Sequence, residues 1–540
     1  MGNHRNSVSF KPNPFNMPFD VIIRNGHVID GSGSPRIRAD VGISADRMTA
    51  IGNLCDASAG NEIDAKGRIV APGFIDLHNH ADGWLLRSPH VLPKTSQGFT
   101  TEVIMSDGIS YAPVDEFNWR EWFFYLRSLD ALRIDEYTGW NSLAEYQQVL
   151  HGRSVQNNLL QVPYGNVRAL VAGFGAQPLD DLQRKLIQSD IRLGLETGAA
   201  ALSTGLDYLG QLQTTTDDLV HACSILREYD ALYVTHVRYK LGLLPAVEEA
   251  VDIARRAGCR LHISHLKAQG PEFVEPLLEL IDKSRKEVDL SFDCYPYLPG
   301  STMLNFLLPY EVWEEGPLAA LGKLNDPLIR SRFRRGLDNY RLPFDKLHIA
   351  WVPGKENSRH QGKLLSRYIA ETGLPPEDAL LNLLIEERLS VLLVFHEGDD
   401  PWCWPMLQHD CCLIGTDAID QEGGNVHPRM FGCANRLLGP LVRDQKLFTL
   451  EEIVAKLSGR SATRFQIPDR GFIRENYFAD VVVFDPNTIT DHATLTEPRQ
   501  LSTGIEHVLV NGCPIICDSK PVEIPSIQLP GRSLKIAPVQ

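Results

Sequence analysis

Among 540 residues there is no apolar run long enough to cross a membrane, no clustered lysine–arginine stretch and no Cys-x-x-Cys pair. Each absence removes a class of function. A spanning helix needs about 20 consecutive apolar residues, so a membrane is not an expected partner. The start, Met1 to Phe19, is polar and interrupted by Pro12, Pro14 and Pro18, and it lacks the apolar centre of a secretory signal. Met1-Gly2 opens like an acylation site, but Asn6 stands where that pattern needs serine or threonine. A net charge of −15 without a basic run argues against nucleic acid, whose phosphates require clustered cations. The ten cysteines are scattered, and even Cys411-Cys412 lies in an apolar run, so the chain reads as reduced and cytoplasmic. With 43% hydrophobic and 22% charged residues, the composition is that of an ordinary globular protein. Any anionic substrate would need a basic pocket inside this acidic chain.

Both ends of the sequence read as short strands and tight turns. Near the start, Phe19–Ile23, Arg24-Asn25-Gly26 and His27–Asp30 spell a hairpin, and a second pair of strands flanks Ser44–Arg47. Near the end come Ala479–Phe484, then Ile505–Val510, Asn511-Gly512 and Pro514–Cys517. These ends form either one small β domain, residues 19–72 plus 468–520, or two independent caps. Residues 1–18 and 521–540 read as tails.

The centre, residues 73–467, alternates apolar strands with helical or loop sequence, the pattern of an α/β fold with parallel strands. The candidate strands are Phe74–His80, Thr100–Asp107, Asn158–Tyr164, Ala199–Leu206, Leu232–Val237, Arg260–Leu266, Val288–Tyr295 and Cys412–Asp417. Eight such strands suggest a (β/α)8 barrel. Leu243–Ala257 carries helical i, i+3, i+4 spacing, and Thr449 with Glu452 is a capping box. The long gap before the last strand, about 298–410, predicts an insertion or lid containing the apolar run Val391–Phe395.

Polar residues with metal-ligand chemistry stand at the C-terminal ends of five candidate strands. In Asp76-Leu77-His78-Asn79-His80, strand alternation points His78 and His80 to one face, where they can grip one ion. The others are Asp107, His236, His265 and Asp417. The C-terminal mouth of a barrel is where strand ends converge on catalysis. Singly these are weak: His-x-His is commonly a surface pair, Asp107-Gly108 suits a turn, and Asp417 suits a helix cap. Recurrence in consistent order carries the case. Four imidazoles and two carboxylates would bind one or two divalent ions of the zinc class. Metal-activated water would then attack a carbonyl, with a neighbouring carboxylate moving the proton.

The chain resembles the amidohydrolase superfamily and, within it, the D-aminoacylase (N-acyl-D-amino-acid deacylase) family. The resemblance runs from Phe19 to about Cys517. It rests on Ala71–His80, Gly98–Thr101, Leu202–Leu206, Thr235–Arg238, Ile263–Lys267, Tyr295–Tyr297, Gly300–Thr302, Ile414–Asp417, His427–Arg429 and Ala479–Asp485. It implies a (β/α)8 barrel with a small β-sandwich domain built from both termini. It further implies that His78, His80 and Asp417 surround one metal position, that His236 and His265 hold the other, and that Asp417 is the proton shuttle. Lys267, Tyr295, Ser301 and Arg429 would line the pocket and hold the carboxylate of a small-molecule substrate, an N-acyl-D-amino acid. Ordinary readings stand beside these: an ion pair for Lys267, a core ring for Tyr295, a turn hydroxyl for Ser301, a surface position for Arg429.

Two departures bear on the metal. Relatives carry cysteine in an Asn-Cys-Gly where this chain has Ser106-Asp107-Gly108. Asp107 is either a harder ligand, letting manganese, cobalt or iron compete with zinc, or a turn residue that never touches metal. Ala199–Leu206 contains no lysine, so the carboxylated-lysine bridge of many amidohydrolases is missing and Asp107 is its best substitute. Rival readings are a dipeptidase, another amide or cyclic-amide hydrolase, or a non-catalytic scaffold; the retained histidines and Asp417 weigh against the scaffold.

Overall fold

A computed structural model describes residues 18–130, 132–338, 343–396, 398–525 and 529–537. The expectations for Met1-Gly2 and the prolines before Pro18 lie outside the described residues. The chain folds as an α/β structure whose centre consists of two parallel sheets. One runs Cys412–Ile414, Leu290–Cys294, Arg260–Ile263, Leu232–His236, Ala201–Gly205, Val162–Pro163. The other runs Ser533–Leu534, Asn157–Leu160, Phe99–Ile104, Phe74–Asp76. The sheets are continuous on one side, because Asn157–Leu160 and Val162–Pro163 are separated by Gln161 alone. On the other side the backbone hydrogen bonds Leu77 N to Ile414 O (3.3 Å), Asp417 N to His78 O (2.7 Å) and His80 N to Ala418 O (3.0 Å) join first strand to last.

The strands are shorter than their apolar runs suggest. The first stops at Asp76 and the last at Ile414, so His78, His80 and Asp417 sit just beyond the ladders, in segments that still exchange backbone hydrogen bonds. The helix Leu243–Ala257 forms over the expected residues. Its stripe Ala246, Val247, Ala250, Ile253, Ala254 and Ala257 is buried, and Gly258 (φ 68°) ends it in the left-handed conformation. The Thr449 box closes through Thr449 N to Glu452 Oε2 (2.8 Å) and Glu452 N to Thr449 Oγ1 (3.2 Å).

The two ends share one nine-stranded sheet. Its joint is Val481–Phe484, antiparallel to Ile69–Pro72. The expected hairpin at Asn25-Gly26 does not form: Phe19–Val28 is one strand with a bulge between Ile23 and Gly26. Asn25 takes a left-handed φ of 62°, and a Cβ on Gly26 would fall 2.4 Å from Val70 Cγ2. The dipeptide therefore serves a bulge and a close strand approach rather than a reversal. Asn511-Gly512 does make a hairpin, between Ile505–Val510 and Cys513–Cys517. Part of the segment 521–540, expected as a tail, is structured instead: Ser533–Leu534 pairs in parallel with Asn157–Leu160, where both residues are buried.

Within the insertion, Ser301–Met303, Leu392–Phe395 and Leu347–Trp351 form a small antiparallel sheet. Among the described residues no helix is long and apolar enough to cross a membrane. All ten cysteines carry free thiols.

Candidate metal centre and substrate cavity

The polar strand-end residues converge on Asp107. Its Oδ1 lies 3.5 Å from His78 Nε2 and 3.7 Å from His265 Nε2, and its Oδ2 lies 3.6 Å from His80 Nε2 and 3.9 Å from His236 Nδ1. Asp417 Oδ1 is 3.4 Å from His80 Nε2 and 3.8 Å from His78 Nε2. Two sets of three donors, His78–His80–Asp107 and Asp107–His236–His265, thus share one carboxylate. Two ligand atoms about 2.1 Å from one ion at tetrahedral angles stand ~3.4 Å apart, which is close to these spacings.

The donors suit a divalent metal of the zinc class. Both ring nitrogens of His78 and Asp107 Oδ1 are buried without a hydrogen-bond partner, a costly state for polar atoms in a folded protein. Burial lowers His78 to about 4, so its imidazole is neutral and has a lone pair to give. Burial opposes ionisation of Asp107, but His78, His265 and His236 around it hold the carboxyl below its ordinary range. Burial alone would lower His80 and His265; the neighbouring carboxylates of Asp417 and Asp107 respectively raise them instead.

The backbone is strained where these side chains leave it. Asp107 (φ 59°), His265 (φ 38°) and Asp417 (φ 51°) are non-glycine residues in the left-handed region. Such positions persist only where surrounding structure over-determines them. Asp76, just ahead of His78, supplies part of that restraint: its carboxylate accepts from Thr416 N (2.7 Å) and Thr416 Oγ1 (2.6 Å) and pairs with the buried Lys94.

A cavity of about 550 Å³ opens onto this cluster, with His236, His265 and Asp417 on its wall. Lys267, Tyr295 and Ser301 also line it, while the insertion adds Phe306 and Phe395. Lys267 Nζ donates to Tyr295 Oη (2.8 Å) and Leu298 O (2.8 Å), and Ser301 Oγ donates to Leu393 O (2.7 Å). Arg429 differs from expectation. It is fully buried and absent from the cavity wall; its Nη1 reaches Asp417 Oδ2 (2.6 Å) and Tyr295 Oη (2.5 Å). Arg429 is the first residue of the helix Arg429–Arg436, on the face turned into the core. A guanidinium buried there needs an anionic partner, which Asp417 provides. Burial opposes ionisation of Asp417, and the Arg429 guanidinium overcomes it, holding that carboxyl well below its usual range.

His262, three residues before His265, turns elsewhere, to Asp293 Oδ2 (2.9 Å) and Ser291 Oγ (2.7 Å). His396 joins His348 (2.6 Å), away from the cluster. The sequence reading missed Asp207, a buried carboxylate on the cavity wall 3.4 Å from His236 Nε2. Its signal was available: Asp207 follows the strand Ala201–Gly205 as Asp417 follows Cys412–Ile414. Tyr239, packed edge-on to His236 with centroids 5.0 Å apart, was also missed.

The Amidohydrolase family pattern matches residues 61–158 and 403–516. D-aminoacylase of Alcaligenes xylosoxydans xylosoxydans is 33% identical over 510 residues, covering 92% of this chain and 94% of the relative. N-acyl-D-glutamate deacylase of the same organism is 33% identical over 524 residues, covering 96% of each. Among solved structures, N-acyl-D-glutamate deacylase from Bordetella bronchiseptica, complexed with zinc and a phosphonate mimic of the reaction's tetrahedral intermediate, superposes with a TM-score of 0.81 at 30% identity, covering 96% of this chain and 99% of that one. The chain belongs to the D-aminoacylase family of amidohydrolases, hydrolases of amide carbon–nitrogen bonds.

Proposed function

We propose that the chain hydrolyses the amide bond of N-acyl-D-amino acids with a divalent metal, zinc in the first place, held by His78, His80, Asp107, His236, His265 and Asp417. The observation that carries this reading is the convergence of four imidazoles and two carboxylates at the mouth of a cavity that also presents Lys267. The two parallel sheets are read as one (β/α)8 barrel. The hydrogen bonds between the His78 and Asp417 segments support closure, and the residues just past the strand ends form the mouth. The nine-stranded sheet is read as a small domain made from residues 19–72 and 468–520.

A bound divalent cation supplies Lewis acidity, polarising a carbonyl and acidifying water. The chain's residues do the rest. Asp417 presents Oδ1 to the cluster while Arg429 holds Oδ2, so one oxygen is free to take the proton of the attacking water. The same carboxyl returns that proton to the departing amine. Lys267 and Ser301, on the cavity wall, receive the substrate's carboxylate; Tyr295 links Lys267 to Arg429 and fixes their spacing. Asp107, within 4 Å of both histidine pairs, would help to hold metal beside either pair.

The test is hydrolysis of N-acetyl-D-amino acids, their L enantiomers and D-dipeptides by chelator-treated protein with zinc, manganese, cobalt or iron restored. Metal-dependent cleavage favouring N-acyl-D-amino acids is expected. Absence of metal-stimulated cleavage of any of them would overturn the reading.

A further inference from the structure

We infer that Asp207 is a positioning residue that fixes the tautomer and direction of His236 for metal binding. Parallel pairing sets Gly205 beside His236. Asp207, two residues further along, therefore rises next to the His236 ring, and its Oδ2 stands 3.4 Å from Nε2. The side chain of Asp207 has 0% exposure. Neither of its oxygens, nor His236 Nε2, has a hydrogen-bond partner elsewhere. The other ring nitrogen, Nδ1, faces the cluster, 3.9 Å from Asp107 Oδ2 and 3.0 Å from His265 Nε2.

A neutral imidazole carries one N–H. If Nδ1 gives its lone pair to a metal, the proton must sit on Nε2, where a buried N–H needs an acceptor. The Asp207 carboxylate is in place to be that acceptor, and its charge makes the imidazole a better donor. The buried carboxylate, which makes no hydrogen bond elsewhere, thereby acquires a role.

This inference rests on the reading that His236 is a metal ligand, and three variants separate the two. Zinc dissociation constants are measured by dye competition on Asp207→Leu, the near-isosteric Asp207→Asn and His236→Ala. In parallel, the imidazole nitrogens of the metal-free wild type and Asp207 variants, labelled with 15N-histidine, are assigned by NMR. We expect His236 to hold its proton on Nε2 in the wild type and to lose that preference in Asp207→Leu. Zinc affinity should fall about 10–100-fold in Asp207→Leu and less in Asp207→Asn, which keeps an acceptor oxygen. If His236→Ala weakens binding but both Asp207 variants bind zinc within about twofold of wild type with the tautomer unchanged, the inference fails alone. If His236→Ala binds zinc normally, both readings fail. A loss of thermal stability in the metal-free Asp207 variants without a change in zinc affinity would also overturn it, because that marks a purely structural carboxylate.

Discussion

Replacing Glu102 with glutamine should make the protein more stable at alkaline pH without touching the metal cluster. Glu102 lies fully buried on the second parallel strand, with Lys94 Nζ 3.4 Å from its Oε2 and Gln156 donating to its Oε1 (2.7 Å). Burial pushes its carboxyl up to about 8, although the Lys94 ammonium opposes the shift. Between about 4.5, the unfolded value, and 8 the folded chain therefore holds a proton that the unfolded chain has released. Stability contributed by this group is complete below the window, declines as pH rises through it, and is lost above it. The slope is at most about 1.4 kcal/mol per pH unit, or about 5 kcal/mol across the window. For 540 residues unfolding as one unit, with roughly 2.1 cal/mol/K per residue, the unfolding entropy is about 1.1 kcal/mol/K. Each unit then lowers Tm by about 1 °C, roughly 4 °C in all.

Glu102→Gln mimics the protonated acid and removes that slope, so its Tm should match wild type near pH 5 and exceed it by several degrees, about 3–4 °C, near pH 8.5. The assay is thermal unfolding of both proteins at half-unit pH steps. Parallel Tm–pH curves for the two would refute the reasoning, since other titrating groups cancel in the comparison. Lys94, rather than Glu102, connects this network to the site. Lys94 also bonds Thr416 Oγ1 (3.0 Å) and pairs with Asp76, tying the segment before Asp417 to the segment before His78.

Asp417→Asn should lower kcat by about 10²–10⁴-fold with modest loss of bound zinc, measured by turnover and metal content; unchanged turnover would remove Asp417 as proton shuttle. Asp107→Cys restores the thiolate of relatives, and retention of zinc over manganese should improve by about an order of magnitude in mixed-metal dialysis; an unchanged ratio would mean that Asp107 does not ligate. Arg429→Met strands the buried Asp417 carboxylate and should cost about 3–5 kcal/mol in thermal unfolding of the metal-free protein. Its kinetics distinguish two roles: a fall confined to kcat fits bracing of Asp417, whereas a rise confined to KM means that Arg429 holds the substrate.

The fold was legible wherever a local rule and the tertiary structure agreed. Helical spacing located Leu243–Ala257 because its apolar stripe is the stripe that packs inward, and the Thr449 box is local by nature. Asn25-Gly26 misled because a dipeptide that permits left-handed φ serves a bulge as readily as a turn; only the neighbouring Val70, brought near by pairing of distant strands, decides between them. Ser533–Leu534 was missed for a related reason. Its pairing with Asn157–Leu160 bridges more than 370 residues, and two residues carry no periodicity to read.

The site divides along the same line. His78, His80, Asp107, His236, His265 and Asp417 could be found because a polar residue at the end of an apolar strand repeats a recognisable pattern, and the structure brings all six together. Arg429 could be chosen for its chemistry but not for its exposure: a guanidinium suits a substrate carboxylate and a buried Asp417 equally, and three-dimensional packing selects between them. Asp207 carries a different device from the one the fourth strand of relatives suggests. Ala199–Leu206 holds no bridging lysine, but a carboxylate stands just beyond its end. The left-handed φ of Asp107, His265 and Asp417 had only a weak sequence signal, since aspartate and histidine enter that region in a minority of positions and glycine alone takes it freely. Their strain is held by contacts from elsewhere, such as Asp293 Oδ1 accepting from His265 N (2.8 Å) and the His78 carbonyl accepting from Asp417 N (2.7 Å). Residue types at strand ends thus specify which atoms can meet a metal. The direction in which they point is set by this second layer of bonds, spread along the chain beyond the reach of a local motif.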